Sequence, residues 1–346
     1  MRIRSIGVVG AGTMGGGIAA LAASAGIPVV LLDVPGERDR DEPTKRGLER
    51  ALKARPPGFM DARRARLVEV GNTEDDLERL EGCDWVIEAV VEQAAPKQAL
   101  FARLEPILAP HAIVSSNTSG IPMHVLTDGR GEAFRQRFLG AHFFNPPRYL
   151  RLLEIIPAPE TDPAVVEAIE SFADLVLGKG TVRAKDVPGF IGNRLGVYGM
   201  LQAIRLMEQT GLTIDEVDAL TGPLIGRPRS ATFRTADLTG LDVLQHVADG
   251  LSDATGEDYS LPDWVRALVA EGRLGEKTGA GFYRREGRQI LTLDLATMEY
   301  QPQVEVQTAE LGALARLPLD ERLRRSLELP GGYGEIPRAL FFTNAP

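Results

Sequence analysis

A chain of 346 residues is too long for one ordinary core, so two domains and an appendage are expected. Hydrophobic residues at 44% and charged residues at 25% give the balance of a globular protein in water, and a net charge of −9 disfavours a nucleic-acid partner held through its phosphates. Cys83 is the single cysteine, which excludes an intrachain disulfide framework and fits a reducing cytoplasm.

The N-terminal apolar run follows Arg2 and Arg4 and carries seven glycines from Gly7 to Gly26, which would make a poor membrane helix. It divides instead into strand, glycine turn, helix and strand. No membrane role is expected, since no other stretch is long and apolar enough to span a bilayer. The β-branched run Ile6–Val9 reads as a strand buried on both faces. Residues 18–25 read as a small-residue helix stopped by Gly26, and 28–32 as the next buried strand, ending at Asp33. Further strands are predicted at 67–70, 85–90 and 113–116, with helical segments between them, so a parallel doubly wound sheet is expected. Two more, 138–144 and 150–156, are separated by a five-residue link with prolines, which suits an antiparallel hairpin.

Past residue 184 the pattern becomes helical, at 190–209, 214–220, 241–248 and 263–270. The expected fold class is an α/β Rossmann-type domain over 1–184, with a mostly parallel sheet and an antiparallel hairpin, followed by an all-α domain over 185–291. Residues 292–346 are expected to be a linker and the start of a truncated further region. They hold a charged helix near 319–327 and end in an apolar run, 340–342, without a helix stop signal.

Gly10-Ala-Gly12-Thr13-Met14-Gly15 matches the dinucleotide fingerprint in its required setting, after a strand and opening a helix. Gly10 allows the turn, Gly12 admits the pyrophosphate to the helix N-terminus, and Gly15 lets helix and strand pack closely. Asp33 stands where a carboxylate binds the ribose hydroxyls and repels a 2′-phosphate, so NAD is the expected cofactor. The rival is a structural glycine turn with a surface aspartate.

Oxidation of an alcohol by NAD needs a base for the hydroxyl proton. His111, His124, His142 and His246 are the only histidines; no two have metal-ligand spacing, which disfavours a zinc dehydrogenase. In a hairpin centred on Arg148, His142 faces Glu154 on one side of the sheet. That pairing is either a catalytic dyad or an ordinary ion pair. Ser115 to Ser119 follow a strand at the end where ligands gather in open α/β sheets, and a polar turn reads equally well. Asn193 sits near the start of the first helix of the second domain, where surface polar residues are common.

Together these residues resemble the 3-hydroxyacyl-CoA dehydrogenase family over residues 4 to about 290. The resemblance rests on GAGTMG, VIEAVVE, SNTS, HFFNPP with Glu154, DVPGFIGNR and EKTGAGFY. It implies that His142 is the base, that Glu154 orients it, and that Ser119 and Asn193 hold the 3-oxygen and the substrate carbonyl. It further implies that Glu92, Lys97, Asn145 and Lys277 line the nicotinamide and ribose side. Residues 141–157 and 220–242 look closest to a bacterial branch in which the dehydrogenase is fused to an enoyl-CoA hydratase for fatty-acid β-oxidation. The resemblance thus implies a 3-hydroxyacyl-CoA substrate, entering between the domains, while the apolar helical second domain suits a homodimer and an intrachain hydratase partner equally. Lys45, Arg46, Arg50, Lys53 and Arg55 form a basic segment that suits CoA phosphates or simply a solvated helix face. Two alternatives stay open: a dehydrogenase of a non-CoA 3-hydroxy acid or sugar acid, and a non-catalytic NAD-binding relative.

Overall fold

The computed structural model describes residues 2–306 and 309–342. The chain forms two compact units, Met1–Ile191 and Gly192–Pro346. The first is built on an eight-stranded sheet in the order β3-β2-β1-β4-β5-β6-β7-β8. Its strands are β1 (Ile6–Val9), β2 (Val29–Asp33), β3 (Val68–Asn72), β4 (Trp85–Glu88), β5 (Ile113–Ser116), β6 (Phe138–Phe143), β7 (Leu152–Pro157) and β8 (Gly180–Arg183). Strands β1 to β6 run parallel; β7 turns back antiparallel to β6, and β8 runs parallel to β7.

The central strands are short and wholly buried because helices cover both faces, and the apolar side chains alternate between two cores. Trp85 and Ile87 of β4 join Ile18, Leu21, Phe143 and Ile169 on one side. Val86 joins Leu80, Phe101, Phe134 and Phe138 on the other. The covering helices are α1 (Thr13–Ser24), α2 (Glu42–Lys53), α3 (Ala94–Leu104), α4 (Met123–Leu126), α5 (Glu132–Arg135) and α6 (Pro163–Leu175). Strand order reverses at β1, between β2 and β4, where an open sheet offers its ligand crevice.

Sequence patterning missed β8. It is an edge strand with no fully buried residue, so it has no apolar run to betray it. The boundary also falls later than residue 184, because 185–191 folds onto the first unit. Asp186 accepts both its hydrogen bonds from Met123 N, and Phe190 is buried in the first unit's second core.

The second unit contains α7 (Gly192–Thr210), α8 (Ile214–Thr221), α9 (Phe233–Thr239), α10 (Leu241–Thr255) and α11 (Asp263–Ala270). A small antiparallel sheet of β9 (Tyr283–Glu286), β10 (Gln289–Leu293) and β11 (Tyr300–Pro302) accompanies these helices. The chain continues through α12 (Ala309–Leu314), α13 (Leu319–Ser326) and α14 (Gly332–Phe342). Residues 292–342 are therefore not a linker. Leu293, Leu311, Leu314, Leu329, Ile336 and Leu340 enter the same core as Leu201, Val217, Phe233 and Phe282. These positions are spread over β10, α12, the link after α13 and α14, and are diluted by charge, so no single window shows the pattern. Of the region expected to begin a further truncated part, residues 307–308 and 343–346 lie outside the described residues.

Candidate active site

The glycine turn fits a dinucleotide in detail. Gly10 has φ +98°, and a Cβ there would lie 2.4 Å from Ala89 O. At Gly15 a Cβ would lie 1.7 Å from Gly10 O, so only glycine lets α1 start this close to β1. A Cβ on Gly12 would meet nothing within 4 Å, which leaves the N-terminus of α1 open where a pyrophosphate would sit. Thr13 and Met14 form its first turn, which has no acidic residue. Asp33, at the end of β2, accepts hydrogen bonds from Ala11 N and Val34 N, both at 2.8 Å. Its carboxylate is thereby fixed beside the turn. These residues fit NAD: an anion-receiving helix end flanked by a carboxylate for the ribose.

Beside this crevice the β6–β7 hairpin has the expected register, with His142 opposite Glu154. His142 Nδ1 lies 2.7 Å from Glu154 Oε2. Both side chains are buried, at 6% and 0% exposure, so the contact is sheltered from water and salt. Glu154 Oε1 accepts a further hydrogen bond from Ile191 N at 2.9 Å. The imidazole is flanked by the Phe144 and Phe190 rings, with centroids at 4.5 and 5.9 Å. Exposed ion pairs of the same length, such as Lys45–Asp39 at 2.7 Å, lack this burial.

The ends of β4 and β5 converge on a buried charge network. Lys97 Nζ lies 2.6 Å from Glu88 Oε1 and 3.2 Å from Glu92 Oε2. Glu88 Oε2 accepts from Ser116 Oγ at 2.5 Å. Burial pushes the Glu88 carboxyl up, against the pull of Lys97. Glu92 Oε1 accepts from Thr118 Oγ1 at 2.6 Å and from Ser119 N at 2.7 Å. Asn117 Oδ1 accepts from Phe143 N at 2.9 Å, next to His142. The loop carrying Ser119 is thus gripped by two carboxylates and joined to the strand that carries the imidazole.

Two family models tile most of the chain: the NAD binding domain of 3-hydroxyacyl-CoA dehydrogenase over residues 5–187, and its C-terminal domain over 189–285. The chain belongs to the 3-hydroxyacyl-CoA dehydrogenase family.

It is therefore an NAD-dependent oxidoreductase, and its first unit is the family's NAD-binding domain. A probable 3-hydroxyacyl-CoA dehydrogenase of Deinococcus radiodurans is 55% identical over 289 residues, covering 82% of this chain and 84% of that one. A putative fatty acid oxidation complex trifunctional enzyme of Rickettsia felis is 34% identical over 291 residues, covering 82% of this chain and 40% of that one. The chain spans less than half the length of several such relatives. The crystal structure of Mycobacterium tuberculosis FadB2 superposes with a TM-score of 0.72 at 38% identity, covering 83% of this chain and all of that one.

For this dehydrogenase chain, the remaining residues expected from the sequence fall in different places. Asn145 borders a hollow of about 70 Å³ with Gly12, Thr13, Gly16 and Arg50. Asn193 is in the first turn of α7, in the second unit. Lys277 also lies in the second unit, with Nζ 2.5 Å from Asp242 Oδ1. In the basic segment, Lys45, Arg46 and Lys53 pair with Asp39, Glu42 and Glu49, which favours the solvated-face reading for those three. Glu88 was not singled out by sequence reasoning, whereas Ser116 and Asn117 lie within the 115–119 segment that was. The available signal was a lone carboxylate closing an otherwise apolar strand, Trp-Val-Ile-Glu88.

Proposed function

We propose that the protein oxidises (3S)-3-hydroxyacyl-CoA to 3-oxoacyl-CoA as a step of fatty-acid β-oxidation in the cytoplasm, with His142 as general base and Glu154 as its orienting partner. The observation that carries this reading is the buried 2.7 Å contact between His142 Nδ1 and Glu154 Oε2. An ionised carboxylate only accepts hydrogen bonds, so Glu154 holds the proton of the neutral imidazole on Nδ1. Nε2 is left with its lone pair to take the proton of the 3-hydroxyl. The same carboxylate stabilises the imidazolium that results. NAD, when bound, accepts the hydride from the carbinol carbon. Ser119 and Asn193 are assigned to the 3-oxygen and the thioester carbonyl, where preorganised donors favour the developing ketone. Glu92, Lys97, Asn145 and Lys277 are assigned to the nicotinamide and ribose side, and Lys97 acts there through the Glu92 it pairs with.

The Rickettsia relative's name and greater length support a place in a multifunctional fatty-acid oxidation enzyme. A homodimer is the other assembly to test, by sedimentation of the chain alone. The decisive assay follows NADH at 340 nm with acetoacetyl-CoA and, separately, with free acetoacetate. Consumption with the thioester only is expected. Equal rates with the free acid would move the substrate to a non-CoA acid. NADH binding without consumption of either would make the chain a non-catalytic relative.

A further inference from the structure

Lys179 joins the end of α6 to β8 and is only 2% exposed. Its ammonium donates to Pro147 O, and to Leu150 O at 2.7 Å, and lies 5.8 Å from the Phe143 ring centroid. Burial alone pushes this amine down to about 8, with no charged neighbour offsetting it. Burying an unpaired cation is costly, and a methionine of similar reach would fill the space without that cost. Packing therefore does not account for a lysine here; its hydrogen bonds do.

Both carbonyls belong to the turn at 144–151 that joins β6 to β7. Pro146 and Pro147 have no N–H to give, and Tyr149 N and Leu150 N both return to Pro146 O. The Pro147 and Leu150 carbonyls thus need a donor from outside the turn, and Lys179 supplies it. The same turn also reaches the cofactor side. A Cβ on Gly17 would lie 2.9 Å from Pro147 Cδ, so the proline ring packs directly on α1. Arg148 Nη1 donates to Pro57 O and Phe59 O, both at 2.9 Å. Pro146 and Pro147 border the hollow that Asn145 shares with Gly12 and Thr13. At its two ends the turn runs into the strands bearing His142 and Glu154.

We propose that Lys179 is a positioning residue: its buried ammonium clamps the 144–151 turn and so holds the His142–Glu154 hairpin in register with the cofactor-binding helix α1. The inference rests on the reading of His142 as base. A misplacement of about 1 Å between reacting groups can cost on the order of a hundredfold in rate. Releasing the clamp therefore weakens cofactor binding and turnover together.

The test uses the whole chain with Lys179→Met and Lys179→Gln, each followed by thermal melting, by the Kd for NADH from fluorescence titration, and by kcat with acetoacetyl-CoA. Lys179→Met is expected to keep a cooperative melt while Kd for NADH rises about tenfold and kcat falls at least as much. Lys179→Gln keeps an N–H₂ donor on a shorter arm, so its effects fall between parent and methionine variant. A purely structural role would lower the folded fraction and leave Kd unchanged per folded molecule. Should Lys179→Met fail to fold, a rise of about threefold or more in the Kd of Lys179→Gln carries the result. Values within about twofold of the parent, in whichever variants fold, overturn the proposal. If the parent binds NADH but turns over no substrate, the catalytic reading fails separately, and the Kd values still decide the clamp.

Discussion

Two buried residue pairs stand at the candidate site, and they ask different things of their surroundings. In the proposed function the His142–Glu154 contact sets a tautomer, so its worth is chemical. Truncating His142 to alanine removes the proposed base and is expected to lower turnover by about two to four orders of magnitude, with NADH affinity little changed. Stopped-flow or steady-state rates with saturating acetoacetyl-CoA would check it. The Glu88–Lys97 pair is a buried ion pair with exposures of 0% and 1%, and its worth is structural as well as positional. Removing Lys97 strands a carboxylate that burial already disfavours. Lys97→Met is expected to destabilise the first unit by about 3–5 kcal/mol in urea denaturation. Adding Glu88→Gln should restore part of that loss, since the stranded charge is then gone. It should not restore the contact from Lys97 to Glu92, so a raised KM for NAD is expected in the single and the double variant alike.

Among the elements, the β1–turn–α1 unit tolerates least. The helix begins so near its strand that a methyl group at position 15 would collide with the Gly10 carbonyl. Gly15→Ala is expected to cost about 1–3 kcal/mol through overpacking and to raise the Kd for NADH, because the helix end that receives the pyrophosphate must move. A fluorescence titration alongside a urea melt separates the two effects. The β6–β7 hairpin is the other element on which the proposed mechanism depends. A slip of one residue in its register would turn either His142 or Glu154 to the opposite face and part them. The register is guarded by apolar neighbours on both strands, Ala141, Phe143, Leu153 and Ile155, which are all buried.

For the whole molecule, the division into two units places the cofactor turn, the dyad and the Glu88–Lys97 network within Met1–Ile191. The second unit has its own core, to which the residues after 309 contribute five buried apolar side chains: Leu311, Leu314, Leu329, Ile336 and Leu340. Each is worth about 1.5–3 kcal/mol when fully buried, against a typical total stability of about 5–15 kcal/mol for a domain. A chain stopped after Pro302 is therefore expected to lose the cooperative unfolding of its second unit. Limited proteolysis would show new cleavage within 192–302, and an unchanged digestion pattern would contradict the assignment of these helices to the core.

What the sequence determined by itself is whatever rests on neighbours along the chain. The fingerprint from Gly10 to Gly15 and the acidic end of β2 at Asp33 are local, and one turn and one strand specify them. The pairing of His142 with Glu154 was legible for the same reason, because a hairpin converts a short sequence separation into an opposite position across two strands. Tertiary structure alone decided the rest. It buried Lys97 between Glu88 and Glu92, brought Lys179 beneath a turn some thirty residues upstream, and placed Leu311, Leu314, Leu329, Ile336 and Leu340 in the second core. Those contacts join elements distant in sequence, and each is selected by the free energy of burying or pairing groups that carry no mark of their partner in the residues beside them.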